Sequence, residues 1–276
     1  MSESTVFATL RRASRIWAVA SIHGEAQRLA ALHDTLARHL NLGDRIVYLG
    51  NYLGRGPAVR ETLNQLIDFR RWVIAQPGMF AADVVFLRGC QEEMWQKLLQ
   101  LQFAPNPSEV LQWTLGQGIG TTLASYGGDA DEGLAVARVG AMAITKWTQK
   151  LRQTMNATPG HADLMAALKR AAFTDDGKLL FVSAGVDPSL PLSAQVDSLW
   201  WGSSGFLNLE APVSTPYEGF ARVIRGFARE RVGKAIGASI TSGRYTTTVD
   251  GGAGFGGKLA AACFDGRGQI VDVIEV

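Results

Sequence analysis

The chain has 276 residues, 47% of them apolar, enough for a sizeable core in one large α/β domain or two small ones. A formal net charge of +2 is too mild to mark a nucleic-acid binder, and the two cysteines, Cys90 and Cys263, offer neither a disulfide framework nor a Cys-x-x-Cys metal spacing. No apolar run reaches the roughly 18 residues of a membrane span and the N-terminus has no apolar signal core, so a cytoplasmic protein without membrane or nucleic-acid partners is expected.

In chain order, the basic cluster LRRASR near the start reads as a solvated N-terminal arm, over residues 1–15. RIWAVASI is then a short apolar strand ending at His23-Gly24, EAQRLAALHDTLARHL is an amphipathic helix, and RIVYLG is a second strand. The pattern repeats with a helix from Arg60 to Trp72, the strand DVVFLRG, and the helix QEEMWQKLLQLQF, which Pro105 and Pro107 stop. From about residue 100 to 176 the pattern is mostly helical. Gly-rich TLGQGIGTTLASYGG precedes a long helical pattern from Leu134 to Met155, and Thr158-Pro159 predicts a capped helix start. This stretch reads as an insertion covering one end of a sheet. The tail from Ser242 reads as strand, glycine turn, strand, Asp-Gly hairpin, strand.

Three features invite misreading. GAGFGGKL, Gly252 to Leu259, fits G-x-G-x-x-G, but too little chain follows for a βαβ unit and Leu259 has no hydroxyl for magnesium, so it reads as a turn. His33, His39 and His161 lie in helical patterns where lone histidines are surface or boundary residues more often than ligands. Cys90 follows Arg88-Gly89 at a strand end, but the arginine that a cysteine phosphatase needs six residues later is Gln96, so an inert thiol is expected.

In order, SIHG (21–24), GNYLGRGP (50–57), LRGCQEE (87–93), VSAGVDPSLPLSAQ (182–195) and IGAS (236–239) resemble the DIHG, GDYVDRGP, LRGNHEE, VHAGV and VGHT motifs of calcineurin-like metallophosphoesterases. The resemblance is to the bacterial serine/threonine protein phosphatase and diadenosine tetraphosphatase-like branch, and it runs from about Ile16 to the end of the chain. It implies a single domain over 1–276 with an α/β fold, a four-layer αββα sandwich of two mixed sheets flanked by helices, and a metal site at the strand ends.

It also implies that the chemistry has been removed. Such enzymes use two divalent cations, held by carboxylates, an asparagine and histidines, to make a hydroxide and clamp the phosphoryl group. Here the first aspartate is Ser21, the bridging aspartate is Asn51, the asparagine is Cys90, and the later histidines are Ser183 and Ala238. His23 alone remains as a good ligand. The histidine that would act as general acid is Gln91, and its supporting aspartate is Gly54. Arg55 and Arg88 match the family's two phosphate-binding arginines, while motif glycines and prolines such as Gly24, Gly50, Pro57 and Pro188 stand in place.

Random decay would strike scaffold and ligands alike. The expectation is therefore a pseudophosphatase with no metal and no cofactor. It would be a binding or regulatory module for a phosphorylated protein partner or a nucleotide, with Arg55 and Arg88 holding the anion. One alternative is an interaction scaffold with a silent pocket, its arginines consumed by Glu25, Glu92 or Glu93. Another is a hydrolase with a non-standard site, using a single metal on His23 and Asn51, or His23 as a base beside Ser21 or Ser183.

Overall fold

A computed structural model describes residues 6–276. Two sheets face each other. One contains β2 (Arg15–Val19), β3 (Arg45–Tyr48), β4 (Val84–Phe86), β10 (Ala260–Asp265) and β11 (Ile270–Glu275), in the order β11-β10-β2-β3-β4. The other contains β1 (Phe7–Leu10), β5 (Ala171–Thr174), β6 (Leu179–Val182), β7 (Arg222–Arg225), β8 (Ile240–Ser242) and β9 (Thr246–Val249), in the order β1-β5-β6-β7-β9-β8. Both are mixed: β2, β3 and β4 run parallel, whereas β10 pairs antiparallel with β2 and β11.

The inner strands are short continuous apolar runs because both faces are covered. Ile16 to Val19, Ile46 to Leu49 and Leu179 to Val182 are all essentially inaccessible to solvent. Parallel neighbours need a crossover, and helices α1 (Ala26–His39) and α2 (Val59–Ile74) supply it. In α1 the buried positions Leu29, Leu32, His33 and Leu36 recur at helical spacing and form one stripe. Helix α3 (Cys90–Leu99) follows β4, and the cap over the sandwich is built by α4 (Pro107–Thr114), α5 (Gly120–Ser125), α6 (Ala130–Val139), α7 (Ala141–Ala157) and α8 (His161–Ala167). Trp95 of α3 anchors it, lying 5.5 Å from the Tyr126 ring and donating from Nε1 to Met155 Sδ at 3.4 Å.

Several expectations are corrected. From Phe7 to Leu10 the supposed arm is an edge strand in parallel register with Ala171–Thr174, and Arg15 already belongs to β2. Residues 1–5 of that arm lie outside the described residues. The long pattern from Leu134 to Met155 is two helices, broken at Gly140 with φ 128°. Thr158 closes α7 rather than opening α8, which starts after Gly160 in the left-handed region at φ 78°. His33 and His161 are buried with partners: His33 Nε2 lies 2.8 Å from Tyr48 Oη, and His161 bridges Tyr126 Oη and Asn64 Oδ1. His39 pairs with Asp272 at 2.6 Å.

Candidate functional site at the strand ends

Three loops leave the carboxyl ends of the parallel strands β2, β3 and β4 and are tied to one another through the backbone. Ile22 and His23 donate to Asn51 O at 3.1 and 2.7 Å, Gly24 donates to Tyr52 O at 2.9 Å, and Gly56 donates to His23 O at 2.6 Å. Glu92, in the first turn of α3, fastens the bundle. Its buried carboxylate accepts from the backbone N–H groups of Asn51, Tyr52 and Gly89 at 2.8 Å and of Leu53 at 3.1 Å. Burial pushes its pKa up while those four donors pull it back. Sequence reasoning placed Glu92 only as an arginine partner. A glutamate three residues into a helix, reaching back to the N-terminal N–H, was the available signal.

The tight loops hold strain. Five described non-glycine residues have positive φ, and three of them, His23 at 55°, Asn51 at 57° and Arg55 at 57°, stand in this site. Residues held in this left-handed region cluster where a surrounding structure over-determines them.

Four of the positions singled out by the motif resemblance, Ser21, Asn51, Cys90 and Gln91, form one hydrogen-bonded chain. Ser21 Oγ donates to Gly226 O at 2.9 Å, and Asn51 Nδ2 donates to Ser21 Oγ at 3.0 Å. Asn51 Oδ1 accepts from the Gln91 backbone N–H at 3.1 Å and from Cys90 Sγ at 3.3 Å. All four side chains are buried. The backbone donor fixes which end of the Asn51 amide is oxygen. Burial, then the nearby Glu92, pushes the Cys90 thiol up to about 12, with Arg229 and Arg55 opposing, so it stays a neutral donor.

Gln91 extends over Gly54 and donates from Nε2 to Gln117 O at 2.9 Å. A Cβ on Gly54 would lie 2.1 Å from Gln91 Oε1, so any larger residue at 54 would have to displace the Gln91 side chain from this position. Ser183 Oγ is buried beside this chain without a hydrogen bond. Ala238 is not part of it, being exposed in the loop before β8.

His23 stands apart from the network in an aromatic slot, its ring 5.8 Å from Phe227 and 5.5 Å from Phe255, both edge-on. The glycine turn of GAGFGGKL closes over it: a Cβ on Gly254 would lie 2.4 Å from His23 Cβ. Burial, then the Arg55 cation, lowers its pKa to about 3. The Leu53 carbonyl weakly favours the protonated ring, yet neither ring nitrogen makes a hydrogen bond of normal geometry, so the neutral ring is the resident form.

A dinuclear centre does not fit these residues. Among the described residues no group of three or more His, Cys, Asp or Glu side chains comes together in a way that could hold a cation. The Asn51 amide and the Ser21 hydroxyl are spent on each other, and the Cys90 thiol is protonated.

The arginines divide. Arg55 has its guanidinium 4.0 Å above the Phe255 ring, its backbone N–H on Gly118 O at 2.9 Å, and its Nε–H buried without an acceptor. Burial lowers its pKa. It lines a cavity of about 160 Å³ together with Gln91, Gln117, Trp201 and Arg229. Arg88, expected beside it, is instead held by Glu93 at 3.1 Å, which also lies 3.7 Å from Lys97. Glu25 pairs weakly with Arg28 at 3.9 Å. The second cation at the cavity is Arg229, whose guanidinium sits 5.7 Å from the Trp201 ring centre. Nothing in its local sequence marks it, because it arrives from the loop after β7.

No family sequence model and no curated protein matches the chain. Solved structures do. A protein described as a diadenosine tetraphosphatase aligns over 99% of this chain and 97% of its own, with TM-score 0.52 and 16% identity. A cold-active protein tyrosine phosphatase aligns over 96% and 79%, with TM-score 0.52 and 12% identity. A serine/threonine phosphatase from Saccharomyces cerevisiae, with similarity to human phosphatase PP5, aligns over 99% and 82%, with TM-score 0.50 and 12% identity. The chain therefore shares the fold of these phosphatases, two mixed sheets flanked by helices. At these identities the likeness establishes architecture, and what the strand-end site does rests on its own residues.

Proposed function

We propose that this protein is a pseudophosphatase: a metal-free module that binds a phosphorylated protein or a nucleotide without hydrolysing it. The observation that carries this reading is the closed chain from Gly226 O through Ser21, Asn51, Cys90 and Gln91, in which every former ligand position that joins it has a new partner. Gln91 has no proton to give, and His23, neutral and walled by Phe227 and Phe255, has no orienting carboxylate.

What remains is positive charge. Arg55, with an unsatisfied buried N–H, and Arg229 flank a cavity whose other polar lining, Gln91 and Gln117, is neutral. A charge-assisted hydrogen bond contributes about 1.5–3 kcal/mol, so two supply about 3–6 kcal/mol. Association costs about 4–15 kcal/mol, so free phosphate binds in the millimolar range or weaker and affinity comes from the rest of the ligand.

The test is elemental analysis of the purified protein, an assay with manganese on an aryl phosphate and a dinucleoside polyphosphate, and phosphate titration followed by NMR. The expected result is no stoichiometric metal, no turnover, and weak phosphate binding that Arg55→Ala removes. One tightly held metal per chain, or turnover lost in His23→Ala, establishes an enzyme instead. Phosphate binding unchanged by Arg55→Ala and Arg229→Ala moves the function to a scaffold.

A further inference from the structure

A cavity of about 570 Å³ lies on a different part of the molecule and shares no lining residue with the Arg55 cavity. That volume is within the range of specific ligand sites. It opens where the two sheets part. Strand β1 ends one sheet and β4 ends the other, each with a named neighbour on one side only. Just beyond β4 the two edges are stitched by Lys169, whose backbone donates to Phe86 O and accepts from Arg88 N–H, each at 2.8 Å. Beside that stitch β1 and β4 both line the cleft, and helices α2 and α8 form its flanks.

Its floor is apolar, built from Phe7 of β1, Ile67 of α2, Val85 of β4 and Leu164 of α8, and Ile74 at the end of α2 is 38% exposed. Its rim is cationic. Four basic residues line the cleft against one carboxylate, Asp163. Arg71 is held by Asp68 at 3.1 Å, but Arg11 and Arg70 have no carboxylate partner among the described residues. The Nε–H of Arg70 is buried without an acceptor. Arg70 itself lines the cleft, and its charge has no carboxylate beside it to neutralise it, which an anion in the cleft would do.

We propose that this cleft receives an extended acidic peptide segment of a partner protein, laid along the β1 and β4 edges with alternate side chains in the apolar floor and its carboxylates at Arg11 and Arg70. A sheet edge offers backbone donors and acceptors that a peptide strand satisfies and an acyl chain does not, which favours a peptide over a small amphiphile. An extended strand also presents apolar and acidic residues to opposite sides at period two, matching a floor and rim of opposite character.

The experiment uses the full chain and a fluorescein-labelled octapeptide alternating glutamate with valine and leucine, followed by fluorescence anisotropy. Saturable binding is expected, weakening with salt and falling at least about tenfold in Arg11→Glu, the loss of a charge-assisted contact. Ala167→Trp, which fills the cleft, removes binding. An unchanged melting temperature and unchanged phosphate binding at Arg55 verify that each variant is folded. Hydrogen exchange slows at β1 and β4 amides when the peptide is bound. Equal binding of the matching lysine peptide, or binding that ignores both substitutions, overturns the proposal. So does no peptide binding beside saturable binding of decanoate or self-association of the chain that Ala167→Trp abolishes.

Discussion

Glu92→Gln isolates the group that holds the site's loops. One carboxylate oxygen accepts from Tyr52 N and Leu53 N, and the other accepts from Asn51 N and Gly89 N. Glutamine preserves the shape but turns one oxygen into a donor, so whichever oxygen is kept, two backbone N–H groups lose their acceptor and face an NH₂. Each buried donor left unmet costs about 1–3 kcal/mol, giving about 2–6 kcal/mol for the pair. Against a typical domain stability of about 5–15 kcal/mol this is a large fraction. The assay is urea unfolding followed by circular dichroism at pH 8, where a lower midpoint at unchanged slope reports lost stability. Glu93→Gln, one residue along and engaged only with Arg88 and Lys97, is the control and costs about 1 kcal/mol or less. If Glu92→Gln unfolds within about 0.5 kcal/mol of the parent, or no earlier than Glu93→Gln, the loops are held by something else and the reasoning fails.

Gly54→Ala places a Cβ 2.1 Å from Gln91 Oε1 at a φ of +79° and is expected to cost about 2–4 kcal/mol, whereas Gly256→Ala, at φ +86° with open space, costs about 1 kcal/mol. Adding Gln91→Ala to Gly54→Ala recovers the difference, and a purely additive double mutant in urea melts contradicts the contact. A chelator leaves the melting temperature unchanged, because no metal-binding free energy supports folding, and a clear downward shift in calorimetry reveals a metal. Burial lowers the His33 pKa from 6.5 to about 3, so below pH 6.5 the unfolded chain takes up a proton that the folded chain refuses. Stability is therefore present above pH 6.5 and falls towards pH 3 by about 1.4 kcal/mol per unit from this residue, and His33→Gln flattens that slope; identical slopes in the two proteins refute it.

The parallel strands and their crossover helices were legible because short apolar runs alternate with amphipathic stripes, and both signals are local. His33 belongs to the same stripe as Leu29, Leu32 and Leu36, so its burial follows from its position although histidine as a residue type is only intermediate in burial. The absence of carboxylates at Ser21 and Asn51 is readable from the motifs. The hydrogen-bonded chain they form is not, since Ser21 meets Gly226 across most of the sequence. Arg88, expected at the cavity, is held by Glu93 five residues away, the alternative its local sequence offered, whereas Arg229, for which no role was expected, reaches the Arg55 cavity only through the tertiary fold. The helix break at Gly140 and the late start of α8 turned on left-handed glycines that periodicity does not register.

The pairing of β10 with β2 sets Val19 opposite Ala261 in the middle of a five-stranded sheet. During synthesis β2 is made before β3 and β4, which join it on one side, while its other side stays bare until β10 is made. Throughout that interval the nascent chain carries an unsatisfied apolar strand edge, open to pairing with other chains. The sheet can be completed only after β10 has emerged, so this fold closes late, and chains cut short before Ala260 are expected in the insoluble fraction rather than as folded fragments.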